Sequence, residues 1–362
     1  MNKRTAFGQK TLSGTVFTSA DIYAEEEKRI FSQRWLMVGR ESKIEKPGQY
    51  FLQQVGSENV IVLRDQTGHI QAFYNVCRHR GTRLCQNDGQ FSQSIQCPYH
   101  AWTYALDGRL LGAPTMQEIS DFNKEDYGLH KVATAVWEGF IFINLAPQPE
   151  PFTKAFAPLI NKFTAWQMDS LTITHTTTYD VEANWKIIFH NYSECYHCPA
   201  IHPRLNELTP YRNSSNDLEE GFILGGPMQM SIREGSMTMN GRVCAPLLKQ
   251  SNGLVHYYTI FPTMFLSLFP DYVLVHRLEP LSPTCTHIIC EWLFAPEASQ
   301  SDQFQPEEAI NFWDMTNRQD WEVCEQTQLG VSSRAFIPGP YSELESMLAA
   351  FDRNYLQAME AD

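Results

Sequence analysis

Two cysteine–histidine pairs constrain this chain more than any other feature. Cys77-x-His79 stands in NVCRHRGTRLC and Cys97-x-x-His100 in QCPYHAW, with 17 residues between His79 and Cys97. Both pairs fall in turn-rich stretches between β-rich runs, so the fold has to bring two loops face to face. Two thiolates and two imidazoles suit a [2Fe–2S] cluster in which both cysteines bind one iron and both histidines the other. Neutral imidazoles in place of anionic thiolates lower the negative charge around that iron. Reduction becomes easier, at roughly −150 to +300 mV against about −400 mV for an all-thiolate plant-type cluster. A zinc site is the plainer reading, but structural Cys₂His₂ sites space their ligands as C-x₂₋₄-C and H-x₃₋₅-H, which these pairs do not. Cys85 is needed by neither arrangement and reads as a buried structural thiol.

The surrounding pattern is that of a small β domain. ENVIVLRD and HIQAFYNV are β-rich runs split by QTG, WTYALDGRLL turns at Asp107-Gly108, and WEGFIFINL adds a further run. Ala20 to Trp35 reads as a lead-in helix, and Ala146 to Phe152 as a linker. Beyond it the spacing predicts a helix from Phe152 to Met168, a strand from Leu171 to Val181 and a helix opening near Asn184. Long β-rich runs follow, then a helix over Pro306 to Gly330 and a last one over Tyr341 to Met359, with Ser342 as N-cap. The expected fold class is α+β, with a helical lead-in over 1–36, a small antiparallel β domain over 37–146 and a larger domain of antiparallel sheet and flanking helices over 147–362.

A second constellation lies in NWKIIFHNYSECYHCPAIHP, which spans Asn184 to Pro203 and holds Glu194, His197 and His202. On a helix, residues three apart share a face, which makes Glu194 and His197 neighbours. Pro199 has no N–H and disfavours continued helix, so the chain is expected to bend there and bring His202 round to the same ion. Two histidines and one carboxylate make the facial set that leaves open positions on Fe(II). The carboxylate has to come from elsewhere, and Asp320 in FWDMTNRQDWEVCEQ is the first candidate. At helical spacing it shares the less polar stripe with Trp313, Asn317 and Cys324. Asp314 is the second choice, and Glu322 falls on another face. Helix geometry does not exclude His190, four residues before Glu194, as a ligand. Any one of these histidines alone would read as a satisfied core or surface residue; the pair, beside the first constellation, favours iron.

The length of 362 residues fits two domains. A net charge of −13 repels phosphate backbones and sets nucleic acid aside. No apolar run approaches the roughly 20 residues of a membrane span. The N-terminus has early basic residues but no apolar core, so a cytoplasmic location without a secretory signal is expected. The nine cysteines are odd in number and dispersed, which argues against a disulfide framework. Arg78, Arg80 and Arg83 make a basic spot in this acidic chain; it either steers an acidic electron donor or holds loop carbonyls.

Both motifs, in this order, resemble the α subunits of Rieske oxygenases, the ring-hydroxylating dioxygenase superfamily, through most of the chain. The resemblance implies that Cys77, His79, Cys97 and His100 hold the [2Fe–2S] cluster. It implies that His197, His202 and Asp320 hold a mononuclear Fe(2+), in a helix-grip-like catalytic domain. It implies that Glu194 bridges a cluster histidine of one subunit and an iron histidine of its neighbour, in a homotrimer or an α₃β₃ ring. Electrons would come from NAD(P)H through a separate flavin reductase, with or without a ferredoxin, to O₂ and a small-molecule substrate. Ring-hydroxylating members usually carry Asp at the bridge; Glu194 in the form ECYHC is similar to the branch acting on choline, carnitine and glycine betaine. His190 stands where relatives often carry an acid. The implied function is N-demethylation or C-hydroxylation of a quaternary ammonium compound. The alternatives are ring dihydroxylation or O-demethylation of an aromatic and, in another class, electron carriage without oxygenase activity, against which the whole second domain argues. A cationic nitrogen is held best by aromatic faces, and the strand region offers Tyr257, Tyr258, Phe261, Phe265, Phe269 and Tyr272, each equally at home in a sheet core.

Overall fold

The structure, a computed structural model, describes residues 8–250 and 252–360. The early basic residues Lys3 and Arg4 lie outside them. The chain divides into two compact units, Phe31–Ala155 and Met1–Ile30 together with Phe156–Asp362.

The first unit holds ten strands: β1 (Leu36–Arg40), β2 (Gln49–Val55), β3 (Glu58–Arg64), β4 (Ile70–Tyr74), β5 (Gly89–Gln90), β6 (Ser94–Gln96), β7 (Thr103–Ala105), β8 (Leu110–Gly112), β9 (Lys131–Trp137) and β10 (Phe140–Asn144). Seven form an antiparallel sheet in the order β1-β10-β9-β4-β3-β2-β5, and β6-β7-β8 form a second, three-stranded sheet. β10 lies between two partners and is buried at every position. Covering each of its Phe and Ile side chains contributes about 1.5–3 kcal/mol. The expected hairpin at Asp107-Gly108 joins β7 to β8. Gly108 has φ +90°, and a Cβ there would lie 2.4 Å from the Phe73 ring, so only glycine closes this turn against the sheet. Ile95, Trp102, Tyr104, Leu106 and Leu110 form a core beneath the turns that carry Cys77, Cys85 and Cys97.

The second unit begins with α1 (Ala20–Glu26), capped by the Ser19 hydroxyl and extended by one π turn, Glu27–Phe31. The helix is therefore shorter than the expected Ala20–Trp35. The helix expected over Phe152 to Met168 is also cut down, to α2 (Phe152–Ala155), which falls at the end of the first unit. Pro158 removes a donor there, and Asn161 and Gln167 take positive φ of 63° and 44°. Its apolar residues Phe156, Leu159, Phe163 and Trp166 are buried all the same, so the periodicity marked a buried face without a continuous helix. After β11 (Thr172–Val181) come α3 (Trp185–Tyr192), α4 (Cys198–Ile201) and α5 (Pro203–Leu208). Then follow β12 (Ile223–Gln229), β13 (Leu254–Ile260), β14 (Met264–Leu268), β15 (Val273–Ser282), β16 (Cys285–Phe294), α6 (Pro306–Val331) and α7 (Ser346–Glu360).

These six strands form one antiparallel sheet, β11-β16-β15-β14-β13-β12. The long α6 is held on it by side chains. Asn317 takes a hydrogen bond from His276 of β15 at 3.2 Å and donates to the Tyr179 hydroxyl of β11 at 3.4 Å, and the Trp313 indole donates to the Tyr272 hydroxyl at 2.8 Å. The expected α+β class, with a small antiparallel β domain and a helix gripped by an antiparallel sheet, is what forms. Among the described residues no helix is long and apolar enough to cross a membrane.

Candidate metal centres

The loops bearing the two Cys-His pairs fold into the same turn. Cys77 N–H donates to Thr82 O at 2.9 Å and Gly81 N–H to Cys77 O at 3.0 Å; Cys97 N–H donates to Trp102 O at 2.8 Å and Ala101 N–H to Cys97 O at 3.1 Å. Gly81 and Ala101, at matching places, both take positive φ, 77° and 57°. The backbone bonding is equivalent in the two loops, and the histidine stands two residues after Cys77 and three after Cys97. The His79 and His100 rings come together edge to face at 4.7 Å, with His79 stacked on Trp102 at 4.8 Å. Cys77 and Cys97 are buried free thiols, while both histidines keep some exposure. The Tyr104 hydroxyl lies 3.2 Å from Cys77 Sγ. His79 Nδ1 is buried without a hydrogen-bond partner, an arrangement that costs about 1–3 kcal/mol unless a ligand takes the lone pair. Two free buried thiols facing two imidazoles, one with an orphaned nitrogen, fit a [2Fe–2S] cluster. Arg78 donates to Gly128 O at 2.5 Å and Asp126 O at 3.3 Å, so it holds loop carbonyls. Arg80, over the Tyr99 ring, and Arg83 are exposed.

The second constellation is built where α3 stops. Ser193 caps it, its hydroxyl bonded back to Phe189 O at 2.6 Å. Glu194 to His197 is therefore a turn and not a helical face. Glu194 Oε2 accepts the backbone N–H of Tyr196 and of His197, and Oε1 lies 2.6 Å from His197 Nδ1. Pro199 does not make the bend. It sits in the first turn of α4, where its missing N–H costs nothing, and the chain turns before it and again at His202.

Asp320, on α6, completes the group. Its Oδ1 lies 2.8 Å from His202 Nε2 and 3.4 Å from His197 Nε2. One ligand atom from each of His197, His202 and Asp320 fits within 4.8 Å of the others. Each imidazole turns Nε2 to the common point and anchors Nδ1, His197 on Glu194 and His202 on Gln319 at 2.8 Å. Such outer partners fix the tautomer and orientation of a metal-binding imidazole. Burial opposes the Asp320 charge, but the imidazole N–H groups outweigh it and hold the carboxyl below its usual range. Burial likewise opposes a charge on His197, and Asp320 and Glu194 outweigh it, raising that group to about 10. Two nitrogens and one carboxylate with fixed outer partners fit a mononuclear iron. Sequence reasoning missed Gln319, although it directly precedes Asp320.

The other candidates lie elsewhere. His190 Nε2 is 2.8 Å from Asp352 Oδ1, and Asp352 Oδ2 accepts the Tyr341 hydroxyl, so His190 is committed to α7. Asp314 accepts from Tyr179 and Arg318, both at 2.8 Å, and Glu322 is exposed. Cys85 is a buried thiol that burial pushes up to about 11, in keeping with a structural role. The cysteines also depart from expectation at one place. Cys195 and Cys198 are joined in a disulfide around His197, because the turn after Glu194 sets their Cα atoms 5.0 Å apart.

A cavity of about 140 Å³ opens against His197, His202 and Asp320. Tyr192, Tyr257 and Trp313 line it, with Tyr257 at 6.5 Å and 75° to Tyr192 and at 6.2 Å and 67° to Trp313. Of the six strand aromatics only Tyr257 reaches the wall. Tyr258 turns to Asp217, while Phe265 stacks on Tyr192 at 4.1 Å and Phe269 lies tilted against Trp313 at 5.4 Å. Phe261 and Tyr272 are buried in the core. Tyr192 and Trp313 were not among the expected aromatics; they stand on the elements around the ligands, Trp313 seven residues before Asp320 on α6. Glu194 and His197 also line a second hollow of about 340 Å³, shared with His190 and Cys324.

Residues 168–361 match the family described as ring hydroxylating alpha subunit (catalytic domain), and residues 34–123 match the Rieske [2Fe-2S] domain. This chain belongs to the ring-hydroxylating oxygenase alpha-subunit family. It is 33% identical to the glycine betaine monooxygenase oxygenase subunit of Chromohalobacter salexigens over 92% of this chain and 82% of that protein. It is 30% identical to the carnitine monooxygenase oxygenase subunit of Escherichia coli K12 over 90% of this chain and 85% of that one. The fold matches the quaternary ammonium Rieske monooxygenase CntA with a TM-score of 0.83 at 22% identity, covering 99% of this chain and 98% of that one. It also matches naphthalene 1,2-dioxygenase from Rhodococcus with a TM-score of 0.77 at 19% identity, covering 97% and 95%. The chain is thus an oxidoreductase, the oxygenase subunit of a Rieske system, and the family implies a [2Fe–2S] cluster and a mononuclear iron.

Proposed function

We propose that this oxygenase hydroxylates a carbon next to a quaternary or tertiary nitrogen, with N-demethylation as the leading outcome. The observation that carries the reading is the cavity wall, where Tyr257 stands at steep angles to both Tyr192 and Trp313, beside the two histidines and the carboxylate. A quaternary nitrogen offers no N–H to bond and is held by ring faces. Relatives named for glycine betaine and carnitine support the same class.

In this reading Cys77, His79, Cys97 and His100 hold the cluster, and His197, His202 and Asp320 hold the iron. Bound there, the iron supplies O₂ activation with electrons received from the cluster. The protein's own part is positional. Tyr192, Tyr257 and Trp313 hold the cation with an N-methyl carbon toward the histidines, and Glu194 and Gln319 keep both imidazoles aimed. Hydroxylating the methyl leaves a hemiaminal that collapses to formaldehyde and the demethylated amine. Glu194 also faces the second hollow, which suits the cluster domain of a neighbouring subunit, so that the acid bridges two subunits of a homotrimer. Electrons come from NAD(P)H through a separate flavin reductase, directly or by way of a ferredoxin, and the location is cytoplasmic. The cluster domain is taken as 37–146 and the catalytic domain as 147–362, with 1–36 packed on the latter; the two compact units support a two-part split, though they assign 31–36 and 147–155 to the cluster side.

The test is a substrate panel with the purified chain, a flavin reductase, NADH and O₂. Formaldehyde released from trimethylammonium compounds is the expected result. Dihydroxylated aromatics with no cation consumed would overturn the reading in favour of ring hydroxylation.

A further inference from the structure

Cys195 and Cys198 both line the cavity beside the iron ligands, and none of the seven free cysteines does. The two flank His197, and the bond between them links residues only three apart. That bond is not what shapes the turn. Glu194 Oε2 accepts the N–H groups of Tyr196 and His197, and Cys198 N–H donates to Cys195 O at 3.1 Å. Ala200 and Ile201 N–H donate to His197 O at 3.0 and 3.1 Å. A cross-link over so short a loop removes little freedom from the unfolded chain, because the gain grows with the length enclosed. A structural staple is a poor account of the pair, and its position suits a chemical one.

The two residues differ in access. Cys198 is 2% exposed, whereas Cys195 is half-buried. An accessible thiol beside a second that can resolve it is the arrangement of a peroxide-sensitive pair. The neighbouring site is a source of such an oxidant. When O₂ and electrons arrive there with no substrate carbon in place, O₂ takes up two electrons and two protons and leaves as hydrogen peroxide. That peroxide starts in the cavity whose wall holds Cys195 and Cys198. The pair is oxidised in this structure, and the ligand atoms of His197, His202 and Asp320 still lie within 4.8 Å of one another. Closing the bond therefore leaves the ligand set assembled.

We propose that Cys195 and Cys198 form a reversible redox site that consumes the peroxide of uncoupled turnover and so protects the iron ligands. The Cys195 sulfur attacks one peroxide oxygen, the O–O bond breaks, and the departing hydroxide leaves with the thiol proton as water. Cys195 is now a sulfenic acid. The Cys198 sulfur attacks it, the S–O bond breaks, and a second water leaves as the disulfide forms. Two thiols have given two electrons and two protons to one peroxide. A small dithiol restores the pair by exchange and becomes a disulfide itself. The inference rests on the assignment of iron to His197, His202 and Asp320 and not on which substrate is hydroxylated.

The experiment counts thiols as well as turnover. The holoenzyme is reduced with a dithiol, freed of it without air, and run with a flavin reductase, NADH and O₂ but no substrate. After alkylation and digestion, mass spectrometry reads the peptide that carries both cysteines. In step with NADH consumption it should lose two hydrogens and its alkylation at both positions, while protein left in air without NADH stays reduced. Cys195→Ser and Cys198→Ser, each followed against its own starting rate, should lose activity several-fold sooner than the wild type. Cys198→Ser should also accumulate sulfinic acid at Cys195, which then has no resolving partner; altered packing alone produces no such mark. Hydrogen peroxide added to the reduced protein should close the pair with or without iron. Failure of that closure overturns the redox site. Closure by added peroxide but none during substrate-free turnover, or equal closure in air without NADH, overturns its supply from the iron. Oxidised enzyme that no longer turns over trimethylammonium substrates would overturn the protective role, as would variants that last as long as the wild type. No NADH-driven O₂ uptake by iron-loaded protein would remove the iron assignment, and this inference with it.

Discussion

Glu194 does two jobs with two oxygens. Oε2 closes the turn that follows α3, and Oε1 holds His197 Nδ1 at 2.6 Å. Glu194→Gln keeps an oxygen for one job but loses the charge that aligns the imidazole. The variant should retain both metal centres, seen as an unchanged visible spectrum and iron content, and lose turnover by about 10- to 100-fold, the usual cost of removing an outer partner of a metal ligand. His256 of β13 poses a separate residue-scale question. Both its ring nitrogens are buried without partners, against Trp166 at 5.2 Å. Burial, reinforced by Lys249 and Lys162 and opposed by Asp217, pushes it down to about 4. A folded pKa below the unfolded 6.5 stabilises above pH 6.5, and that stabilisation drains away as the pH falls toward 4. His256→Phe keeps the ring contact and removes the titration. In denaturant unfolding it should retain about 2 kcal/mol that the wild type loses between pH 7 and 4.5. At residue scale the grouping of His197, His202 and Asp320 was legible, because metals demand particular donors at workable spacings. The buried, unpartnered Tyr257 hydroxyl and the Cys195–Cys198 bond were not, because both depend on which way a turn or strand points a side chain.

Elements were legible where one periodicity ran uninterrupted. β11 and α6 follow from it nearly at their bounds and α7 for most of its length, whereas β12 to β16 were legible only as β-rich runs not yet divided into strands. The stretch from Phe152 to Met168 did not, since apolar spacing reports a buried face, and Pro158 with two left-handed residues decides the backbone. What sequence pattern also could not reveal is how α1 is attached. Glu26 and Lys186 are both fully buried and paired, with Trp185 and Tyr355 also donating to Glu26 at 2.8 Å. Burial pushes Lys186 down to about 8, which still leaves it charged at neutral pH. Removing one member of such a pair strands the other, at about 3–5 kcal/mol. Glu26→Gln should therefore destabilise the second unit by about that amount and expose the α1 segment to limited proteolysis. The double variant Glu26→Leu with Lys186→Met should recover most of the loss, because no unpaired charge remains. Thermal unfolding and protease digestion read both effects.

At the scale of the whole molecule, the Cys-His turns lie in one unit and His197, His202 and Asp320 in the other, and Glu194 with His197 opens on a hollow beyond the substrate cavity. If that hollow receives a neighbour's cluster domain, each active site draws on two chains, and damage to one centre can be complemented by another chain. Cys97→Ser removes a proposed cluster ligand and His197→Ala a proposed iron ligand, so homo-oligomers of either variant should be inactive, the first without the cluster's visible spectrum and the second with it. Dissociating the two, mixing them in equal amounts and reassembling them creates interfaces where an intact cluster of one chain faces an intact iron site of the other. In a ring of three, every mixed oligomer contains one such pairing, and three quarters of randomly assembled rings are mixed. Each active pairing is one of three sites, so the mixture should recover about a quarter of wild-type turnover by statistics alone, in a system where a single-ligand loss otherwise removes activity. Transfer confined within one chain predicts none, because no chain in the mixture carries both centres.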